Sequence, residues 1–151
     1  MSKKYTDILD TLLDRLKDDR TYIMEECIDE INDIIENRQV CMDFAKSLKI
    51  DMERFNENRQ EYINKNRIFE VLSIDKGQKK RIRGTSLLYC YKYKKNGKNN
   101  KNVRCIFIID DDSKVNVFLK CFVEKDKKDY RKPIEDAINR YNKIYLEQGG
   151  E

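Results

Sequence analysis

Apolar residues recur at helical spacing over residues 5–37. Ile8, Leu9, Leu12, Leu13 and Leu16 are followed by Ile23, Cys27, Ile31, Ile34 and Ile35, the three-and-four repeat of an amphipathic helix. The polar stretch 17–20 is where such a helix bends or divides. Its stripe buries against the core or against a partner chain. A second run over residues 41–72 (Met42, Phe44, Ala45, Leu48, Met52, Phe55, Tyr62, Ile63, Ile68, Phe69, Leu72) predicts more helix. A joint falls near Ile50, with Asp51 as an N-cap. The pattern then changes. Residues 87–94 are rich in strand formers and alternate after Cys90. Asn96 and Gly97 open a polar loop, residues 103–109 read as a second strand, 110–113 as a turn, and 115–122 as a third strand. The last element, about residues 130–148, is a helix with Pro133 in its first turn. Ile134, Ala137, Ile138, Tyr141 and Tyr145 form one of its faces.

Helices, closely spaced strands and a final helix predict an α+β chain. A small antiparallel sheet of three to four strands packs with helices, and residues 1–40 form an extra helical segment ahead of a domain at 41–151. Charge sharpens that division. Residues 1–40 carry six basic and eleven acidic groups, whereas residues 75–151 carry twenty and eleven. Ends of opposite sign predict a contact between them, or between subunits through the N-terminal helix. No window approaches the length of a membrane span, and the N-terminus lacks an apolar leader, so a cytoplasmic location without membrane contact is expected.

The chain has no histidine and five widely spaced cysteines, Cys27, Cys41, Cys90, Cys105 and Cys121, with no CxxC pair. That argues against a zinc site and a disulfide framework, and the cysteines read as small core residues. Acid–base work falls to Lys, Tyr, Asp, Glu or Cys, with no Ser-His or Cys-His pair available. Asp110, Asp111 and Asp112 suit a hairpin turn better than a cation site, and no metal or other cofactor is expected.

Residues 76–104 hold eleven lysines and arginines and no acidic residue, with Tyr89, Tyr91 and Tyr93 among them. A one-sign field with interleaved rings suits a nucleic acid. Lys79, Lys80, Arg81 and Arg83 are RNA-binding candidates, as are Lys125, Lys127 and Lys128 further on. A Lys-rich composition throughout the chain is the plainer explanation of the run. Strand alternation puts Lys92 and Lys94 on one face, with Arg104 on the neighbouring strand, and three such cations around one point suit a phosphate. Lysines on an edge strand also serve simply to block aggregation. The polar patch 124–130 follows the third strand and is placed to close the site.

Arg83-Gly84, Cys90-Tyr91-Lys92-Tyr93-Lys94 and Val103-Arg104-Cys105-Ile106-Phe107 together resemble the RelE/ParE toxin superfamily. The later Val117-Phe118-Leu119 and Lys125 to Tyr130 match the same pattern, over about residues 55–146 in all. The resemblance implies a small antiparallel sheet flanked by helices. It also implies a toxin neutralised by an antitoxin and acting as a metal-independent endoribonuclease that cuts messenger RNA on the ribosome. Lys92 and Lys94 then match paired lysines on the sheet face, Arg104 the arginine at the scissile phosphate, and Tyr130 a tyrosine that stacks on substrate. The family's second arginine is replaced by Lys125, Lys127 and Lys128, which lack its bidentate fork. That departure keeps an alternative open: a non-catalytic binder on the same fold, directed at a host protein or nucleic-acid complex.

Overall fold

The computed structural model describes residues 21–35, 38–58, 68–72, 87–93, 102–110, 114–125 and 130–147, with side chains as far as residue 144. The elements are β1 (Thr21–Ile23), α1 (Glu25–Ile34), α2 (Arg38–Glu57), β2 (Phe69–Val71), β3 (Leu88–Tyr93), β4 (Val103–Ile109), β5 (Asn116–Val123) and α3 (Arg131–Glu147). The strands form one five-stranded sheet in the order β1-β5-β4-β3-β2. β2 to β5 pair antiparallel, and β1 runs parallel to β5.

The expected α+β class is present, with two corrections to the sheet. Among the described residues it has five strands rather than three to four, and it is mixed rather than antiparallel. The helical readings also change in three places. Thr21–Ile23 is a strand within the run expected to be helical, as is Phe69–Val71. α2 passes through Asp51 without a joint. Each new strand is three residues long, too short for its own alternation to stand out from a flanking helical period.

Alternation along β3 sorts the side chains. Tyr89, Tyr91 and Tyr93 face α2, where Phe44 meets Tyr91 and Tyr93 edge-on and Phe55 meets Tyr89, Phe69 and Phe107. α2 forms because Val40, Cys41, Phe44, Ala45, Leu48, Met52 and Phe55 fall on one stripe, and all seven are buried. Each large apolar side chain buried there contributes about 1.5–3 kcal/mol. Tyr91 donates its hydroxyl to Asp51 Oδ2 at 2.8 Å, which satisfies its polar atom inside a largely aromatic layer. α3 covers part of the opposite face with Ile134, Ala137, Ile138 and Tyr141.

A bulge in β5 sets what reaches that second face. Ile106 pairs with Lys120 but Phe107 with Phe118, so Leu119 is an extra residue opposite none. The bulge turns Lys120 and Phe122 to the side of Ile106 and Arg104, while Phe118 stacks on Phe107 at 4.7 Å on the α2 side. Arg140 of α3 donates to the Leu119 carbonyl at 2.7 Å.

β1 covers only the first part of β5. Met24 N–H extends the ladder to Phe118 O at 3.1 Å, and α1 then runs along the remaining edge. Glu30 closes that edge: it accepts from Cys121 N–H, Lys120 Nζ and both terminal nitrogens of Arg140, at 2.7–3.0 Å. Cys27, Ile31 and Ile35 are buried in the chain's own core, so this part of the N-terminal stripe packs internally. All five cysteines are buried thiols. Among the described residues no helix is long and apolar enough to cross a membrane.

Candidate functional site

The sheet face that carries α3 has an end beyond the helix, built by β2, β3 and β4. Lys92 and Arg104 are direct cross-strand partners there, and directly opposite residues share a face. Cys90 lies two residues from Lys92 on the same face, opposite Glu70 of β2. Three of the four expected catalytic residues are therefore brought together: Lys92, Arg104 and Tyr130, the last from the turn entering α3. Lys94 lies outside the described residues. So do Lys79, Lys80, Arg81, Arg83, Lys127 and Lys128. Lys125 is described and exposed, directly after Glu124.

Neither cation stands alone. Lys92 Nζ lies 3.2 Å from Glu70 Oε1, at a half-exposed position. Arg104 is buried, its side chain only 10% exposed, and its Nε donates to Glu124 Oε1 at 2.7 Å while one Nη donates to Val103 O. Glu124 is the first residue after β5. Its backbone N–H is fixed to Asn102 O at 2.9 Å. The same Oε1 accepts from Tyr130 OH at 2.7 Å. Tyr130 packs its ring edge-on against Phe122, 5.2 Å away, with its hydroxyl 4.0 Å from Cys90 Sγ.

The protonation states follow from these contacts. Burial alone would raise the Glu124 carboxyl, but the hydrogen bonds from Tyr130 and Arg104 outweigh it and hold the group below its ordinary range. Burial pulls Arg104 down, yet the Glu124 contact more than restores it and the guanidinium stays charged. Burial raises Tyr130, and its Cys90 and Glu124 neighbours raise it further, so its hydroxyl is a persistent donor. Burial pushes the Cys90 thiol up to about 12, which removes it as a thiolate nucleophile at neutral pH. Arg104 Nε–H and Tyr130 O–H thus point at one oxygen position, a cradle for an anionic oxygen, with Lys92 on the adjacent strand.

Glu124 and Glu70 received no role from the sequence. Glu124 falls in the polar patch 124–130, where several charges compete for notice. Glu70 sits on a strand disguised as helix. The signal that would have found Glu124 is the buried arginine itself, since a guanidinium inside a sheet layer requires an anion. Among the described residues no group of His, Cys, Asp and Glu side chains has the arrangement to hold a metal ion. Asp110 instead accepts from Tyr141 OH at 2.9 Å.

No family model matches the chain, and no curated protein or solved structure matches it either.

Proposed function

We propose that this protein is a toxin of the RelE type, an endoribonuclease that cuts messenger RNA on the ribosome without a metal and is held in check by an antitoxin protein. The observation that carries the reading is the direct pairing of Lys92 with Arg104 on one sheet face, with Tyr130 closing over the arginine. In this mechanism the RNA 2′-hydroxyl loses its proton to a lysine drawn from Lys92 and Lys94 and attacks the adjacent phosphorus. The P–O5′ bond breaks, leaving a 2′,3′-cyclic phosphate, and the departing 5′ oxygen takes up a proton from water, while the lysine returns its own to solvent. Charge that builds on the phosphorus oxygens is stabilised by Arg104 and Lys92. The basic run at 76–104 supports the reading by drawing in the polyanion. Induced expression, with growth and ribosome-associated mRNA cleavage as readouts, tests it. Arg104→Ala is expected to lose at least about a hundredfold in cleavage, the usual cost of removing one such group, and Arg104→Lys to recover part of it. A wild type without toxicity or cleavage sinks the enzyme.

One observation favours a second reading. Glu70 and Glu124 neutralise Lys92 and Arg104 within the chain. A surface balanced in this way suits a non-catalytic binder of a protein target on the same fold.

A further inference from the structure

Arg104 presents a problem for any anionic ligand. Its side chain is 10% exposed beneath Glu124, whose own side chain is 23% exposed. One carboxylate oxygen, Glu124 Oε1, sits 2.7 Å from both Arg104 Nε and Tyr130 OH. Two donors converging on one oxygen at that distance is the geometry a phosphate oxygen takes with arginine and a hydroxyl. Glu124 also stands at a boundary. Its N–H is tied to Asn102 O, whereas its side chain reaches the arginine through rotatable bonds from the first position beyond β5. The backbone is fixed and only rotamers need to change for the carboxylate to leave.

We infer that Glu124 is an internal stand-in for substrate: its carboxylate fills the phosphate-oxygen subsite of the resting protein, and a phosphodiester oxygen of RNA replaces it on Arg104 and Tyr130. This deepens the ribonuclease reading and rests on it for the identity of the ligand. A buried guanidinium left without an anion is strongly disfavoured, so the subsite passes from one anion to the other without standing empty. The displaced carboxylate turns outward toward solvent and Lys125, which is exposed beside it. Glu124 then acts as a threshold. Weak or stray phosphates fail to displace it, while an RNA also held by the basic run does.

The test uses the full chain and an RNA oligonucleotide carrying 2′-O-methyl groups, which binds but has no hydroxyl to react. Glu124→Gln keeps an acceptor for both donors and removes the charge. It is expected to bind this RNA at least about fivefold more tightly than wild type at fixed moderate salt, the low end of what one removed competitor at a charge-assisted contact gives. The gain should vanish when Arg104→Gln is added. A gain that survives in the double variant reflects one lost negative charge anywhere, and overturns the inference. An unchanged or weaker affinity overturns it too. Tighter binding of an acidic peptide but not of RNA assigns the subsite to a protein carboxylate, and also overturns it. Should Glu124→Gln fold poorly, the wild type answers by NMR: the Arg104 Nε–Hε cross-peak must move on saturation with the same RNA, and a stationary peak rejects the exchange. Cleavage is scored separately. A binding gain with no cleavage by wild type keeps the subsite and removes the enzyme. Cleavage by wild type with no gain in Glu124→Gln does the reverse.

Discussion

An arginine that is nine-tenths covered depends on its anion, and the dependence is mutual. Arg104→Ala leaves Glu124 with Tyr130 but without its charged donor, and opens a gap beside Phe122. The fold should lose about 1–3 kcal/mol, the range for a charged hydrogen bond broken inside a protein, read from urea unfolding. Lys92→Ala makes the contrast. Its ion pair with Glu70 is partly solvated, so the loss should stay near or below about 1 kcal/mol. Both variants are expected to impair cleavage, but only one should unfold more easily. Titration separates residues in the same way. Hydrogen bonds from Tyr130 and Arg104 overcome burial to hold Glu124 below its ordinary 4.5, and those from Lys132 and Lys120 do the same for Asp136 below 3.8. Each favours the fold above its unfolded value and loses that contribution as pH falls through the lowered one. Asp51 has the opposite sign, because burial raises it and the Tyr91 hydrogen bond only partly offsets that. Its protonation favours the fold as pH falls. Asp51→Asn should therefore steepen the loss of stability below about pH 5. Unfolding midpoints that track the wild type down to pH 2 would show Asp51 to be unshifted.

Glu30 is the clasp between α1, the free edge of β5 and α3. Glu30→Ala leaves Lys120 with Asp136 and Arg140 with the Leu119 carbonyl, both at partly buried positions, and is expected to cost about 1.5–3 kcal/mol. Hydrogen exchange gives the sharper readout, since Cys121 N–H has Glu30 Oε1 as its acceptor and should lose protection while the β3–β4 ladder keeps its own. These elements also show what was legible in the chain. β3, β4, β5 and α3 were readable to within a residue or two, because each is long enough for its period to repeat. β1 and β2 were hidden, since three residues carry a single alternation and both lie inside helical-looking runs. The bulge at Leu119 was hidden as well. Simple alternation along β5 puts Lys120 and Phe118 on one face, whereas they point to opposite faces. For the site, the facing of Lys92 and Arg104 followed from alternation, but their carboxylate partners came from another strand and from the residue just after β5, which spacing along one strand does not encode.

Segregated charge turns out to be partly internal. The acidic N-terminal region meets the basic C-terminal one at Glu30, whose partners Lys120 and Arg140 lie 90 and 110 residues further along. The basic run at 76–104 carries eleven cations and no acidic residue. RNA affinity is therefore expected to fall steeply between low and moderate salt, as counterion release requires. A flat response in a filter-binding titration would remove the electrostatic attraction. Deleting residues 1–40 should not simply uncover a site. It takes away β1, α1 and Glu30, so the expected outcome is loss of cooperative thermal unfolding and aggregation through the bared edge of β5. A truncated chain that unfolds cooperatively, with intact near-UV dichroism, would show that this edge needs no cover.

The parallel pairing of β1 with β5 gives the molecule a history as well as a shape. β1 and Glu30 leave the ribosome before their partners on β5, which follow about 90 residues behind. At ordinary elongation rates that gap is roughly 5 to 20 seconds. Through that interval the aromatic layer over α2 lacks Phe107 and Phe118, and the cradle around Arg104 lacks Glu124 and Tyr130. The sheet closes only once β5 has emerged, so a nascent chain carries its basic run before it carries a formed site.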